Sequence, residues 1–401
     1  MKKRNDYVNY LKKGETIDLV NLDPEILGII GIELKRRRRK QSRTLDSFDC
    51  GCSISYISKI ENGKITPKYS ILQELCSEQG ISQIELDALI SVNNLLNDAI
   101  SATFYKKYDL VKMYCEGIAH FDNYKVNLLK AIDYVNHNLW DEALKIIPTI
   151  TIIEDKLVDA DYNILLYLQM RIENHFENYL KAHSIYKQIK LNDNMIINTL
   201  CYHEYFYAIC KCGFENPTHY YEKLCNMYLK LFNNNLNEIN ELYFKTLINL
   251  GCEVPQIVFD TFDVKNQIIY YIKHNKFKEL LELKENNNLS SFEKMMIAMA
   301  VKDYIDVINQ YQKIDLENLK EKEKIMCNYC RLLIEGNGTQ IVNYANKVGL
   351  PYAEKRGDFT MLVHLVKSIC EHSLTTGKYK NVATMCMSLF SFVEKYQKHY
   401  A

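Results

Sequence analysis

From residue 83 onward the apolar positions recur at the three-and-four spacing of a helix face, and a second, longer rhythm runs through them. An aromatic residue, or once a threonine, precedes a small or aliphatic residue by three: Trp140 and Ala143, Tyr179 and Ala182, Tyr221 and Leu224, Phe277 and Leu280, Tyr304 and Val307, Thr339 and Val342, Tyr379 and Val382. Successive pairs lie 39, 42, 56, 27, 35 and 40 residues apart. Recurrence on this scale predicts stacked helical hairpins, each unable to bury its apolar face alone. The 56-residue interval predicts an extra or broken hairpin. Several of the expected second helices add an aromatic four residues past the small one, at Tyr186, Tyr228 and Tyr311, where it would fill the gap above it. An irregular helical domain of another kind is the alternative, and both readings are all-α.

Residues 26–82 carry shorter apolar groups separated by turn residues and read as a compact module. An extension, 1–25, precedes it; a linker helix, 83–104, follows; and 105–401 hold the repeats. Within the module TLDSFDCGCSISYISKIENGK predicts a helix, a tight turn at Cys50-Gly51-Cys52 and a second helix. Gly51 suits a turn of positive φ, Ser53 suits the cap of the next helix, and Gly63 closes it. That helix would turn Ile54, Ser55, Lys59 and Asn62 outward and Tyr56, Ile57 and Ile60 inward. TPKYSILQELCSEQG predicts another helix, with Pro67 in its first turn, Ile71, Leu72 and Leu75 on its apolar face, and its end at Gly80. In the extension, Tyr7, Tyr10 and Leu11 are the residues suited to pack on the module or on a dimer mate.

Composition agrees with this division. Hydrophobic residues at 47% and charged residues at 25% match soluble globular proteins, and only 14 Gly and 6 Pro in 401 residues favour helix. No apolar run approaches the roughly 18 residues of a membrane span, and MKKRNDYVNY is not followed by an apolar signal core, so a cytoplasmic protein is expected. Thirteen scattered cysteines, an odd number, fit reduced and mostly buried thiols better than a disulfide framework. The equal totals of 50 cations and 50 anions conceal an asymmetry: 15 against 11 up to Ser82, and 35 against 39 beyond it. A basic head on an acidic body is the charge pattern of a nucleic-acid reader with a separate partner site.

The cations from Lys35 to Lys40, within LKRRRRKQSR, are too many for one helix face. They admit two readings, neutralisation of phosphate or a solvated charge run. Catalytic signatures are missing: there is no Walker phosphate loop, GxSxG, HExxH or glycine-rich dinucleotide fingerprint, so no enzyme, cofactor or metal is expected. Cys327 and Cys330 form a lone CxxC in IMCNYCRLLI, read as two thiols one turn apart on a packed helix; Cys50 and Cys52 flank the turn where oxidation would be felt.

GIELKRRRRK, SISYISKIENGKITP and YSILQELCSEQGIS together resemble the helix-turn-helix of the Xre and Cro-like repressors, and YISKIENGKITP is the most specific stretch. The resemblance implies binding to a double-stranded DNA operator. Ser53 would open the recognition helix, Ile54, Ser55 and Lys59 would lie nearest the base edges, and the loop from Lys64 to Lys68 would approach phosphate. Lys35, Arg36, Arg39, Lys40, Arg43, Thr44 and Asn62 complete the expected DNA-contacting set. The chain departs from the family pattern in two places: Leu45 follows Thr44 where the family has Gln, and the segment before the turn is about two residues short. A module kept only for protein contact is the other reading.

The repeats resemble degenerate tetratricopeptide repeats, from about residue 105 to 397. An Xre-like head on such a body resembles the peptide-responsive quorum-sensing regulators of low-GC Gram-positive bacteria, the RRNPP family. That resemblance implies an α-solenoid, a short signalling peptide held in its concave groove, and homodimerisation through the repeats. Asn side chains can bridge the backbone of an extended peptide with paired hydrogen bonds, and Asn163 with Tyr167, Asn198 with Tyr202 and Tyr205, and Asn328 with Arg331 are the expected peptide contacts. The rival function is a repeat-based interaction protein that sequesters a signalling protein, with DNA binding secondary.

Overall fold

The computed structural model describes residues 24–48, 50–119, 121, 123–190, 193–213, 216–233, 236–286, 289–336 and 338–400; every regular element among them is helical, as the sequence pattern requires. Tyr7, Tyr10 and Leu11 lie outside the described residues. The chain forms two compact units. The first holds the described residues up to Ile172 with Lys190–Leu200, and the second holds Glu173–Ile189 and the chain from Cys201 onward.

The first unit begins with α1 (Pro24–Lys40), α2 (Ile54–Glu61), α3 (Tyr69–Glu78) and α4 (Gln83–Ile90). The helix expected before the Cys50-Gly51-Cys52 turn is reduced to one 3-10 turn, Leu45–Ser47, with Thr44 and Phe48 extended on either side. The cause is local. Ser47 Oγ donates to the Thr44 carbonyl at 2.7 Å, and the Arg43 guanidinium bonds Ser47 O at 2.6 Å and Ser47 Oγ at 3.1 Å. These bonds give a short segment an alternative to helical pairing. Pro67 stands one residue ahead of the Lys68 cap and outside α3, a correction to its expected first-turn place. Gly31 allows α1 to cross the end of α2, because a Cβ there would stand 2.5 Å from the Ile60 carbonyl oxygen and 2.8 Å from that of Glu61.

The stretch 83–104, expected as one linker helix, is α4 and α5 (Val92–Phe104), broken at Ser91, and it is core. Leu86, Ala88, Leu89, Val92 and Ala99 are all fully buried, and α4 packs on α1, α3, α5 and α6 (Tyr108–Ile118). The module is therefore continuous with the hairpins that follow: α5 with α6, then α7 (Tyr124–Asn136) with α8 (Trp140–Thr151). Next come α9 (Asp159–His175), α10 (Tyr179–Tyr186), α11 (Met195–Cys212) and α12 (Thr218–Lys230). The wide interval holds α13 (Asn237–Leu250) and a single-turn helix, α14 (Gln256–Phe259). The chain continues through α15 (Val264–Lys273), α16 (Phe277–Asn286), α17 (Ser291–Ala300), α18 (Tyr304–Tyr311) and α19 (Glu321–Glu335). It then runs through α20 (Gly338–Tyr344), a π turn at Ala345–Gly349, α21 (Leu350–Arg356), α22 (Phe359–Thr375) and α23 (Tyr379–Tyr400). In the second unit α15 packs on α16 and α17, α17 on α18, α18 on α19, and α22 on α23.

One turn recurs between these helices. Three residues separate the pair, and the middle one is left-handed: Lys106, Asn138, Glu177, Asn275, Lys302 and Gly377, with φ between 55° and 71°. The next N–H reaches back five residues, as in Leu139 to the Tyr134 carbonyl at 2.8 Å and Asp303 to the Ala298 carbonyl at 2.8 Å. This closes the helix end in a Schellman motif, and the aromatic of the sequence pattern starts the next helix at once. The residue three further on is fully buried at Ala143, Ala182, Leu280 and Val307, as is Leu224 inside α12. Tyr108 and Val111 extend the series by one, whereas Val342 and Val382 are only half-buried. The later aromatics reach the neighbouring helix: Tyr186 stacks on Tyr205 with ring centroids 4.1 Å apart, Tyr228 Oη lies 2.7 Å from His203 Nδ1, and Tyr311 Oη donates to Asn328 Oδ1 at 2.9 Å.

Candidate nucleic-acid interface

Ser53 caps α2, its Oγ accepting from the Tyr56 N–H at 3.2 Å. Ile57, Ile60 and Glu61 are buried and Tyr56 is half-buried, so helical phase leaves Ser53, Ile54, Ser55, Lys59 and Asn62 exposed; Ile54 keeps 53% of its surface. Thr44, Lys64 and Lys68 are exposed as well. The Lys35 ammonium meets Asn62 Oδ1 at 3.2 Å, and Asn62 donates to the Ser58 carbonyl at 2.7 Å. Arg39, one helical turn from Lys35, is exposed on the same side of α1.

Arg36, Arg37 and Arg38 of the run, and Arg43 beyond it, are paired with carboxylates. Glu33, buried, accepts from Arg36 at 2.8 Å through both oxygens and from Arg37 at 2.7 Å. Burial pushes the Glu33 carboxyl up, but the hydrogen bonds and charges of the two arginines outweigh it and hold it below its ordinary value. Arg37 also donates to the Gly80 carbonyl at 2.8 Å and lies over the Phe121 ring. Arg38 pairs with buried Glu61, which raises the guanidinium further. Arg43, expected on phosphate, is tied to Glu78 at 2.9 Å and to Ser47, and stacks over Phe48. Lys40 lies about 140° around α1 from Lys35, and Arg36 falls between Lys40 and Arg39, since each residue advances about 100°. The structure thus brings together Ser53, Ile54, Ser55, Lys59, Asn62 and Lys35, turns Lys40 to another side of α1, and ties Arg36 to Glu33 and Arg43 to Glu78.

The expected peptide contacts divide between the two units. Asn163 does bridge a backbone, donating to the Lys190 carbonyl at 2.5 Å and accepting from its N–H at 3.1 Å, but the backbone is the chain's own. Asn163 and Tyr167 are fully buried, with Tyr167 Oη accepting from Arg171 at 3.3 Å, and Tyr202 is 2% exposed under the Lys223 ammonium. Burial therefore removes these three from a surface groove. Asn198 and Tyr205 are half-buried, and Asn328 and Arg331 are half-buried around Tyr311, whose ring lies under the Arg331 guanidinium.

All thirteen cysteines are free thiols. Burial pushes Cys327 and Cys330 up to about 12, which makes the CxxC inert at neutral pH. Among the described residues no cluster of His, Cys, Asp and Glu is placed to hold a metal, and no helix is long and apolar enough to cross a membrane. No protein-family model, curated protein or solved structure matches the chain.

Proposed function

We propose that the chain is a sequence-specific DNA-binding transcription regulator that acts as a homodimer and is controlled by a short peptide bound to its helical array. One observation carries this reading: α2, capped at Ser53 and anchored by Ile57 and Ile60, presents Ile54, Ser55 and Lys59 on one exposed face beside Lys35. A helix so built reads base edges in a major groove while neighbouring cations take phosphate. Lys64 and Lys68, exposed in the loop after α2, suit that second role. The peptide would be held by half-buried polar and aromatic side chains of the second unit, Asn328, Arg331 and Tyr205. A ligand shifts DNA affinity only by favouring one arrangement of the two modules of a dimer, and α4, packed on both α1 and α6, is the element through which the module would follow the array.

A second reading is favoured by the inward pairing of Arg36, Arg37, Arg38 and Arg43 and by the 3-10 turn in place of a helix. Both suit a module turned to protein contact, in a chain whose repeats sequester a signalling protein. Selecting duplexes from a random pool with the full chain discriminates the two. One enriched sequence whose binding is lost in Lys59→Ala supports the regulator; no enrichment supports the interaction protein. A peptide copurifying from the protein's own host, seen by mass spectrometry and able to shift binding to the enriched duplex, supports the peptide claim, and its failure to shift that binding removes it.

A further inference from the structure

The second unit closes on itself, because its first whole helix, α10, packs on its last, α23. Between them α11, α13, α15, α19 and α22 bring cations together. Lys211 stands at the end of α11, where a Cβ on Gly213 would lie 2.4 Å from Thr360 Oγ1 at the start of α22, and His364 is one turn further along α22. Lys322 of α19 pairs with Asp358, just ahead of α22. Lys245 of α13 is 3.7 Å from Asp263, the cap of α15, and a Cβ on Gly251 would lie 3.9 Å from the side chain of Lys273 at the other end of α15.

Lys211, Lys273 and His364 are exposed, yet in all three the charged form is disfavoured first by the protein packed around it. Side chains that reach solvent and are desolvated all the same stand in a hollow. The charges of Lys322 and Lys245 lower the Lys211 ammonium further, that of Lys367 lowers Lys273, and those of Lys273, Lys367 and Lys322 lower the His364 imidazole. Lys322 therefore faces both Lys211 and His364. Carboxylates offset part of this charge: Asp358 at Lys322, Glu241 and Asp263 at Lys245, and Glu371, which is 4.0 Å from Lys367 and also opposes the lysines at His364. Glu177 acts on Lys211 more weakly than either lysine does and is itself paired with Arg356 at 3.5 Å. The Cys210 thiol, pushed up to about 12 by burial, carries no charge at neutral pH. Lys211, whose ammonium lies 5.2 Å from the centre of the Tyr207 ring, and Lys273 make no ion pair among the described residues. Like charges gathered in a hollow without counter-charge cost stability, and an anion would supply what is missing.

We propose that this hollow binds a small multivalent oxyanion, a phosphate chain or a polycarboxylate, with Lys211 and Lys273 on its two sides and Lys322 and His364 between them. Lysine ammonium groups act as point charges, which favours dense charge over a planar group that needs a guanidinium fork. The proposal does not rest on the peptide reading, whose contacts are Asn328, Arg331 and Tyr205.

The test titrates the full chain with inorganic tripolyphosphate and with citrate, at constant ionic strength against chloride, following Tm and calorimetric binding. Wild type is compared with Lys211→Gln, Lys273→Gln and Lys211→Arg, and with Lys278→Gln on the exposed side of α16 as control. The expected result is saturable binding of at least one probe to wild type with a rise in Tm, the tighter probe telling a phosphate chain from a polycarboxylate. Lys211→Gln and Lys273→Gln should each weaken that binding by about tenfold or more, the worth of one charge-assisted hydrogen bond. Both should keep the wild-type Tm without anion, or exceed it, because each removes a charge that has no counter-charge. Lys211→Arg and Lys278→Gln should bind as wild type does. No saturable binding of either probe, or binding unchanged in both glutamine variants, overturns the proposal. A loss in Lys211→Arg as large as in Lys211→Gln also overturns it, because the lysine would then act through its packing and not its charge.

Discussion

Arg38 grips Glu61 through two guanidinium nitrogens, Nε to one carboxylate oxygen at 2.6 Å and Nη2 to the other at 2.8 Å, and this joins α1 to the last turn of α2. Both side chains are largely buried, at 12% and 3% exposure, and Arg38 also donates to the Arg43 carbonyl at 3.0 Å. Removing one partner leaves a buried charge without its complement, a loss of about 3–5 kcal/mol. Arg38→Ala and Glu61→Gln are each expected to lower the urea midpoint accordingly. The double variant Arg38→Met/Glu61→Leu should recover most of the loss, and single variants within 1 kcal/mol of wild type, roughly the worth of a surface pair, would show that the pair is not a buried clasp.

The crossing of α1 and α2 predicts opposite outcomes at two nearby glycines. Gly31→Ala puts a methyl into the carbonyls of Ile60 and Glu61 and should cost about 1–3 kcal/mol by forcing the helices apart. A Cβ on Gly28 meets nothing within 4 Å, so Gly28→Ala should be neutral or stabilising by up to about 1 kcal/mol through helix propensity. Equal effects of the two substitutions in chemical denaturation would contradict the close approach.

Acid should weaken the first unit through Glu33. Its carboxyl is held below the ordinary value, so its contribution is present above the ordinary carboxylate range and is lost as pH falls through the folded-state value. The stability difference between wild type and Glu33→Gln is therefore expected to shrink as pH is lowered from about 6 to about 3. A difference that stays constant over that range would mean that Arg36 and Arg37 do not hold the carboxylate.

Left-handed turn residues give a gain-of-stability test. Lys302 adopts φ 63° between α17 and α18, a conformation that costs a side chain roughly 1–2 kcal/mol and glycine almost nothing. Because glycine loses more entropy on folding, Lys302→Gly should stabilise the second unit by about 0.5–1 kcal/mol, read from its denaturation midpoint. Destabilisation would show that the lysine stem packs usefully there.

Much of the array was legible because its signals are local. The aromatic-to-small spacing marks where second helices start, and burial of Ala143, Ala182, Leu280 and Val307 follows from it. The turns were not legible: Lys106, Glu177 and Lys302 take a conformation that glycine or asparagine would announce, because packing of the paired helices imposes it. Ser53, Gly51 and Gly63 could be read from cap and turn chemistry, whereas the fate of the basic run could not. Which arginines face outward depends on Glu33, Glu61 and Glu78, and two of these lie far along the chain from the run. Asn163 shows the same limit, since its amide has the chemistry expected of it but acts on Lys190 of its own chain. Lys211, Lys273 and His364 carried no sequence signal, because only the folded array brings their charges together.

The central claim, that the face of α2 begun at Ser53 reads DNA, is tested most directly by competition binding of the full chain to its selected duplex and to scrambled duplex at one fixed salt concentration. The account predicts that wild type prefers the selected duplex by about 10³-fold or more, and that Lys59→Glu cuts that affinity by about tenfold or more while Tm stays unchanged. Equal affinity for both duplexes, or a Lys59→Glu protein that binds as wild type does, would contradict it.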